Sequence, residues 1–307
     1  MNRRAAIAVA ALLIAGGALA SMGKQDRTVD LSSAREIWAD FLRDADQIGL
    51  VATRMPSGEE VRLGAQLAAG VSQWAAQDPN DTSYVSAVGQ SLAPQLRRKD
   101  IPYEFHVIES PSINAFALPG GQIYVLRGMM DFLETEAELA AILGHEMSHV
   151  DLRHCVERYQ YQHALKRAGV GVGGAGHLLD MARMLIAMGY GQYQELEADA
   201  EGNRIAIEAG YDPDAAETVF NRLAQTMGEA LRPPASTPAG EIAGSMEEAL
   251  RDYFRTHPRT PERVARMHSM TTSHQELRGR QFFVGRANYR NRTTRSASAP
   301  KAEFRTY

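Results

Sequence analysis

Residues 139–153 read LAAILGHEMSHVDLR and place two histidines and a glutamate in the order H-E-x-x-H. The apolar residues of this stretch recur at the spacing of an α-helix. One helical turn separates His145 from His149, so both imidazoles can reach the same ion while Glu146 lies beside them. This arrangement predicts the zinc-binding helix of a hydrolase.

A catalytic zinc site usually has three protein ligands and leaves the fourth position to water, so a third ligand is needed. His154 is one candidate, but metzincins have a glycine before their last histidine and place that histidine one position later, where this chain has Cys155. The thiol of Cys155 lies further along the helix than His149 and points away from the two imidazoles. A carboxylate from a second helix is the alternative.

The second helix is predicted at 193–209, YQELEADAEGNRIAIEA. Glu195 and Asp199 are one turn apart, so Glu195 can bind the metal while Asp199 accepts the N–H of a ligating histidine. Glu197 points elsewhere. A solvated acidic face would also explain these carboxylates. Small residues on the same helix favour close packing against another helix instead, namely Ala198, Ala200, Gly202 and Ala206.

Two helix starts carry the pattern of a capping box, in which Thr135 precedes Glu138 and Ser57 precedes Glu60. Further helices are predicted over 57–77, 83–96 and 213–230 and from Pro261 onward. Strands are predicted over 101–110, 112–118 and 122–126, the last two joined by a turn at 119–121. A glycine-rich mobile connection and a proline-rich loop are predicted at 164–191 and 232–244. The fold class is therefore α+β and mostly helical.

Successive motifs resemble those of metallopeptidase family 48, which includes the CAAX prenyl proteases and the heat-shock protease HtpX, and resemble its soluble periplasmic BepA-like branch most. These motifs are NAFALPGGQIYV at 114–125, HEMSHVDLRH at 145–154, ELEAD at 195–199 followed by AGYDP at 209–213, and THPRTPERV at 256–264. The resemblance implies a gluzincin-type metallopeptidase domain with a small β-sheet beside the H-E-x-x-H helix.

The resemblance implies one zinc ion per chain, with Glu146 as the catalytic base, Asp199 bonded to a ligating histidine, and three ligands, His145, His149 and Glu195. It also places Asn114, Ala115 and Phe116 along the cleft as substrate-binding residues. Physically, an edge strand there could pair with an extended peptide. The alternative is that Asn114 caps a turn and that Phe116 belongs to the core.

The resemblance also brings His257 to the metal, where two roles are open. His257 could donate a hydrogen bond to the oxyanion, or it could occupy the fourth zinc position and restrain the enzyme. The segment at 232–244 could move enough for His257 to switch between the two roles. We favour restraint, because an envelope protease needs some restraint on a zinc-bound hydroxide. Arg263 is predicted to pair with Asp199.

The chain begins MNRRAAIAVAALLIAGGALASMG, with two arginines, a short apolar run and an A-x-A series. This pattern predicts a signal peptide over 1–20, cleaved near Ala20, and a periplasmic protein; an uncleaved membrane anchor is the alternative. We further predict an N-terminal arm over 21–55, the zinc metallopeptidase domain over 56–275, and a basic, disordered tail over 276–307 that could touch anionic lipid or an acidic partner.

The formal net charge of −4 predicts no nucleic-acid binding. Cys155 is the only cysteine, so no intramolecular disulfide can form. The predicted function is that of a zinc-dependent endopeptidase that degrades misfolded or unassembled proteins of the bacterial cell envelope. Its partners would be protein or peptide substrates and the outer-membrane assembly machinery. The alternative is a chaperone or scaffold in outer-membrane protein assembly with latent protease activity.

Overall fold

The structure is a computed structural model that describes residues 55–71, 79–167, 181–182, 185–186, 189–230, 256–257, 261–272 and 274–307. The predicted signal peptide, nearly all of the N-terminal arm and the loop at 232–244 lie outside these residues, as does most of the glycine-rich connection at 164–191. All the described residues belong to one compact unit, Ala52–Tyr307.

The helices in this part of the chain are α1 Ser57–Val71, α2 Pro79–Leu92, α3 Arg127–Phe132, α4 Glu136–Asp151, α5 His154–Arg167, α6 Gln192–Glu208, α7 Ala215–Ala230, α8 Pro261–Thr272 and α9 Arg286–Asn291. The predicted starts of α1 and α8 and the predicted end of α7 are confirmed. The helix expected from residue 83 begins already at Pro79, because proline fits the first turn of a helix, where its missing N–H is not needed.

Helix α4, which carries the H-E-x-x-H sequence, lies at the centre of the domain. Its start is confirmed, since the Thr135 side chain accepts the N–H of Glu138 at 3.1 Å. Every residue of α4 is buried, and α2, α6, α7 and the sheet pack around it. α4 is therefore enclosed on all sides.

The small sheet consists of β1 Glu104–Ile108, β2 Ala115–Leu118 and β3 Gln122–Leu126 in the order β1-β3-β2. β1 runs parallel to β3, and β2 runs antiparallel to it. The predicted turn between β2 and β3 is confirmed, with Gly120 and Gly121 at φ of 76° and 87°, a region that favours glycine. β2 lies at an edge of this sheet and contacts α4. The predicted α+β fold with a small sheet beside the H-E-x-x-H helix is confirmed.

The predicted capping box at Ser57 is wrong, although α1 begins there. Glu60 is fully buried, and its carboxylate accepts an N–H of Arg98 at 2.6 Å. The same guanidinium donates to the carbonyl of Val150 near the end of α4 at 2.9 Å. Burial without a partner would cost Glu60 several kcal/mol, on the order of 3–5, so the residue serves to join α1 to α4.

The prediction of a disordered tail over 276–307 is wrong. This segment forms β4 Gln281–Phe283, α9 and β5 Phe304–Thr306, and β4 pairs antiparallel with β5. Phe282, Phe283 and Tyr289 are buried, so aromatic burial offsets the entropy of ordering the segment. The carbonyls of Val284 and Gly285 each accept an N–H from the first turn of α4 at 3.1 Å.

Three of the basic residues that suggested disorder form ion pairs within the domain. The ion pairs are Arg286 with Glu134, Arg292 with Asp81, and Arg305 with Asp212 and Asp214. Arg295 donates to the carbonyl of Ala209 at 2.8 Å. Part of the charge that suggested an anionic lipid or an acidic partner is therefore engaged in holding the segment to the domain.

Helices α4 and α6 approach each other through two glycines. A Cβ on Gly202 would lie 2.6 Å from the backbone nitrogen of His145, and a Cβ on Gly144 would lie 2.8 Å from the carbonyl oxygen of Gly202. Both separations are shorter than van der Waals contact, so only glycine allows this approach. The predicted close packing of small residues on α6 is confirmed at Gly202.

Replacing Gly202 by Ala is expected to push α6 away from α4 and lower the free energy of unfolding by about 1–3 kcal/mol. The same displacement would move Glu195 relative to His145 and His149 and weaken metal binding. Urea unfolding and zinc titration measure the two effects. Gly191→Ala at the start of α6 is the matched control, since an added Cβ there meets nothing within 4 Å in the described part of the chain. Equal stability of both variants would contradict the prediction.

Candidate metal centre

Four buried side chains from three parts of the fold meet beside α4. His145 and His149 come from α4, Glu195 comes from the first turn of α6, and His257 comes from the segment before α8. One ligand atom of each lies within 4.8 Å of the others. The Nε2 atoms of His145 and His149 are 3.2 Å apart, and Nδ1 of His257 is 3.1 Å from Oε1 of Glu195.

Imidazole nitrogens and a carboxylate that converge in a buried pocket form the donor set that zinc prefers. Burial lowers the pKa of His149 well below its usual value, so the ring is neutral and able to ligate. Burial by itself would raise the pKa of Glu195, but the positive charges of His257 and Arg263 outweigh it and hold the pKa well below its usual range. The residues present therefore fit a metal ion.

Arg263 lies behind the cluster and is fully buried. It donates to both oxygens of Asp199 at 2.7 and 2.8 Å, and its Nη1 is 2.7 Å from Oε2 of Glu195. Asp199 in turn lies 3.1 Å from Nδ1 of His145. The pKa of Asp199 is lowered, because the hydrogen bond from His145 and the charge of Arg263 outweigh the effect of burial. One guanidinium thus fixes the orientation of two carboxylates.

Glu146 differs from the other buried carboxylates of α4. Those have partners, namely Glu136 with Tyr84 and Tyr211, Glu138 with Arg222, and Asp151 with the backbone of Arg97 and Arg98. Oε2 of Glu146 is buried and has no hydrogen-bond partner among the described residues. Burial raises the pKa of Glu146, although His257 and His145 oppose this. An oxygen left unsatisfied beside a cluster of ligands needs an explanation, and proton transfer supplies one.

His257 stands between the two acidic groups of the site. Its Nδ1 faces Glu195, and its Nε2 lies 3.3 Å from Oε1 of Glu146. Burial lowers the pKa of His257, but the two carboxylates outweigh it and the net shift is upward. The carbonyl of Thr256 accepts the N–H of Tyr190 at 3.1 Å, which ties this segment to the end of the glycine-rich connection.

Tyr190 and His154 also lie at the site, in positions that the sequence did not predict. The Tyr190 ring stacks on His149 with centroids 3.5 Å apart, and nothing in the glycine-rich sequence before it signals this contact. The sequence suggested His154 only as a ligand, yet it lies behind His149. Burial raises the pKa of Cys155 to about 12, so its thiol stays protonated and unsuited to bind zinc.

The three residues expected to bind substrate lie at or beside β2. The side-chain oxygen of Asn114 accepts the N–H of Ala115 at 2.9 Å and the hydroxyl of Thr256 at 3.4 Å, so it borders the segment of His257. Phe116 is buried and stacks on Tyr124 with centroids 4.9 Å apart. Its side chain therefore belongs to the core, which was the alternative for this residue.

A model of peptidase family M48 matches residues 79–271, which is more than half of the chain. The chain belongs to this family. The matched region contains all four residues of the cluster, and membership of family M48 confirms the resemblance found in the sequence.

The chain is similar to three proteases of other organisms. The mitochondrial metalloendopeptidase OMA1 of Schizosaccharomyces pombe is 32% identical over 193 residues, which cover 61% of this chain and 52% of that protein. The β-barrel assembly-enhancing protease of Yersinia pestis is 30% identical over 173 residues, which cover 51% and 35%. The metalloprotease LoiP of Escherichia coli is 30% identical over 153 residues, which cover 47% and 58%. The chain thus spans between about a third and somewhat over half of these relatives. Among the described residues of this M48 member, no helix is long and apolar enough to cross a membrane.

Proposed function

We propose that this protein is a zinc-dependent endopeptidase with one zinc ion per chain. The observation that carries the proposal is the unsatisfied, buried Oε2 of Glu146 beside the cluster of four ligand atoms. Cleavage of unfolded casein tests it. Activity should stop when a chelator removes the metal and return when zinc is added; activity that persists in the chelator would overturn the proposal.

His145, His149 and Glu195 are the residues that would hold zinc. When bound, zinc lowers the pKa of a water molecule to about 7 and polarises the substrate carbonyl. Glu146 accepts the proton that the attacking water loses and later donates it to the leaving amine. Arg263 and Asp199 keep Glu195 and His145 in the orientation that ligation requires.

The edge of β2 is the surface we assign to the substrate backbone. β2 pairs with β3 on one side, and no strand of the described residues covers its other side. Main-chain hydrogen bonds along Ala115 and its neighbours would hold an extended peptide without selecting its sequence. This mode of binding suits an enzyme that degrades many unfolded proteins.

His257 is the residue whose role decides whether the enzyme is restrained at rest. As a fourth ligand it would displace the water, whereas as a donor it would stabilise the oxyanion. Its position among the ligand atoms, with Nδ1 3.3 Å from Nε2 of His145, favours restraint. The same four-donor arrangement resembles a closed structural zinc site and supports the second candidate, a chaperone or scaffold with latent protease activity.

Replacing His257 by Ala is expected to raise casein cleavage, because the fourth position becomes open to water. If His257 is instead an oxyanion donor, its removal should lower turnover, because the transition state loses about 2.7–4 kcal/mol of stabilisation. Initial rates and zinc content of the purified proteins decide between the two. His268→Ala, an exposed histidine paired with Glu217 on the surface, is the control and should change neither quantity.

We infer a role in the quality control of misfolded or unassembled proteins of the bacterial cell envelope, with the outer-membrane assembly machinery as a candidate partner. The signal-like start of the chain supports periplasmic export, and the names of the β-barrel assembly-enhancing relatives support the assembly context. The intact mass of the exported protein tests the first point. A mass that still includes residues 1–20 would favour the membrane-anchored alternative.

A further inference from the structure

The two candidate metal-binding histidines are supported in different ways on the side away from the metal. Nδ1 of His145 faces a carboxylate, that of Asp199, at 3.1 Å. Nδ1 of His149 faces another imidazole, with Nδ1 of His154 at 3.0 Å. His154 itself is buried, and its Nε2 lies 3.3 Å from Oε2 of Glu197. Behind His149, the contacts therefore lead from its ring to His154 and from His154 to Glu197.

The positions of the hydrogens follow from the chemistry of ligation. Nε2 of His149 faces the cluster, at 3.2 Å from Nε2 of His145, so a neutral His149 that ligates through Nε2 carries its hydrogen on Nδ1. That N–H can donate to His154 only if Nδ1 of His154 offers its lone pair. The hydrogen of His154 then lies on Nε2 and points at the carboxylate of Glu197.

The backbone is shaped to bring His154 to this place. Arg153, between α4 and α5, has a φ of 71°, a left-handed conformation that few residues other than glycine adopt. The Arg153 guanidinium donates a hydrogen bond to the carbonyl of Met55 at 2.7 Å, which anchors the side chain of this residue. Such backbone strain persists where the surrounding structure demands it and is concentrated near functional sites. Here it turns the chain so that the first residue of α5 lies behind His149.

We propose that His154 is a positioning residue that fixes the tautomer and ring orientation of His149, and that Glu197 orients His154 in turn. The proposal rests on the proposed zinc site. Partners of this kind fix the tautomer and orientation of a ligating imidazole. Their removal typically weakens metal binding by about 10- to 100-fold. Glu197 is partly exposed, with 37% of its side chain accessible, so its charge stays solvated while its oxygen orients a buried ring.

Zinc dissociation constants, measured by competition with a chromogenic chelator, test the proposal. His154→Ala is expected to raise the constant by about 10- to 100-fold. His154→Asn places an amide oxygen near the former Nδ1 and should restore most of the affinity, which a merely structural role would not predict. Glu197→Gln keeps an acceptor but removes the charge, so a smaller increase is expected.

His268 and Glu217 supply the matched controls, because they form the same type of pair at 3.0 Å on the surface. His268→Asn and Glu217→Gln should leave zinc affinity unchanged. Urea unfolding of the metal-free proteins shows whether a variant is merely less stable. If His154→Ala does not fold, the zinc affinity of Glu197→Gln and the tautomers of His149 and His154 in the zinc-loaded, unmodified protein carry the test.

Nitrogen-15 NMR of the imidazoles in the zinc-loaded protein gives a second readout. The hydrogen of His154 should be found on Nε2 and that of His149 on Nδ1. The opposite tautomer of His154, or a zinc affinity of His154→Ala equal to that of the unmodified protein, would overturn the proposal. Failure of the unmodified protein to bind zinc would instead overturn the proposed function, so the two failures are distinguishable.

Discussion

Replacing Glu146 by Gln is expected to lower turnover by about a hundredfold or more while zinc stays bound. The amide has nearly the same shape as the carboxylate but cannot accept a proton, and loss of a general base alone costs about that factor. Zinc binding should persist, because Glu146 is not among the four residues whose ligand atoms converge. Steady-state cleavage of casein and the zinc content of the purified protein measure both quantities.

Glu136→Gln is the matched control for this substitution. Glu136 is a buried glutamate on the same helix, and it accepts hydrogen bonds from Tyr84 and Tyr211 at 2.9 and 3.1 Å, away from the ligand atoms. Burial raises its pKa, so the neutral amide should be tolerated and turnover should stay within a few-fold. Equal activity of Glu146→Gln and the unmodified protein would exclude the proposed protease mechanism.

Replacing Arg263 by Met is expected to lower the free energy of unfolding of the metal-free protein by about 3–5 kcal/mol. Arg263 is fully buried and compensates the charges of Glu195 and Asp199, both of which are buried as well. Methionine fills much of the volume but leaves two carboxylates without this cation. Arg263→Lys should also be destabilising, because an ammonium cannot make the paired bonds of a guanidinium.

The pH dependence of this loss has a definite sign. Both carboxylates have lowered pKa values in the folded protein, so their contribution to stability is present above about pH 4, the usual pKa of a carboxyl, and is lost as the pH falls further. The difference between Arg263→Met and the unmodified protein should therefore shrink in acid. Urea unfolding at several pH values measures it.

Arg286→Met is the control for the loss of an arginine. Arg286 pairs with Glu134 at 2.7 Å, but both side chains are about half exposed, and solvent-exposed pairs contribute only about 0–1 kcal/mol. If Arg263→Met lowers the free energy of unfolding no more than Arg286→Met does, the buried pairs of Arg263 with Glu195 and Asp199 do not stabilise the metal-free protein.

Features that depend on neighbours in sequence could be predicted. The approach of His145 to His149 is a consequence of helical periodicity alone, and the start of α4 follows from the short-range bond between Thr135 and Glu138. The turn between β2 and β3 follows from the conformational freedom of its glycines. The same local rules placed Glu195 and Asp199 on one face of α6.

Local rules failed where a distant residue competes for the same side chain. Glu60 matches a capping box in spacing. Its carboxylate pairs with Arg98 instead, because burying a carboxylate without a cation is unfavourable. The basic composition of 276–307 suggested disorder, yet three buried aromatic residues there anchor the segment to the domain. Composition averages over a segment, whereas burial depends on the few side chains that reach the core.

The sequence by itself determined the fold class, the family and the H-E-x-x-H helix, because periodic spacing and short motifs are properties of consecutive residues. Only the tertiary structure decided that Arg263 also meets Glu195, that Tyr190 stacks on His149, and that His154 lies behind the same ring. The first two contacts join elements far apart in the chain, and the third depends on the turn between α4 and α5. Their geometry is set by how α4, α5, α6 and α8 pack. The small residues of α6 predicted a close approach to another helix, but not that Gly202 meets Gly144 and His145 of α4.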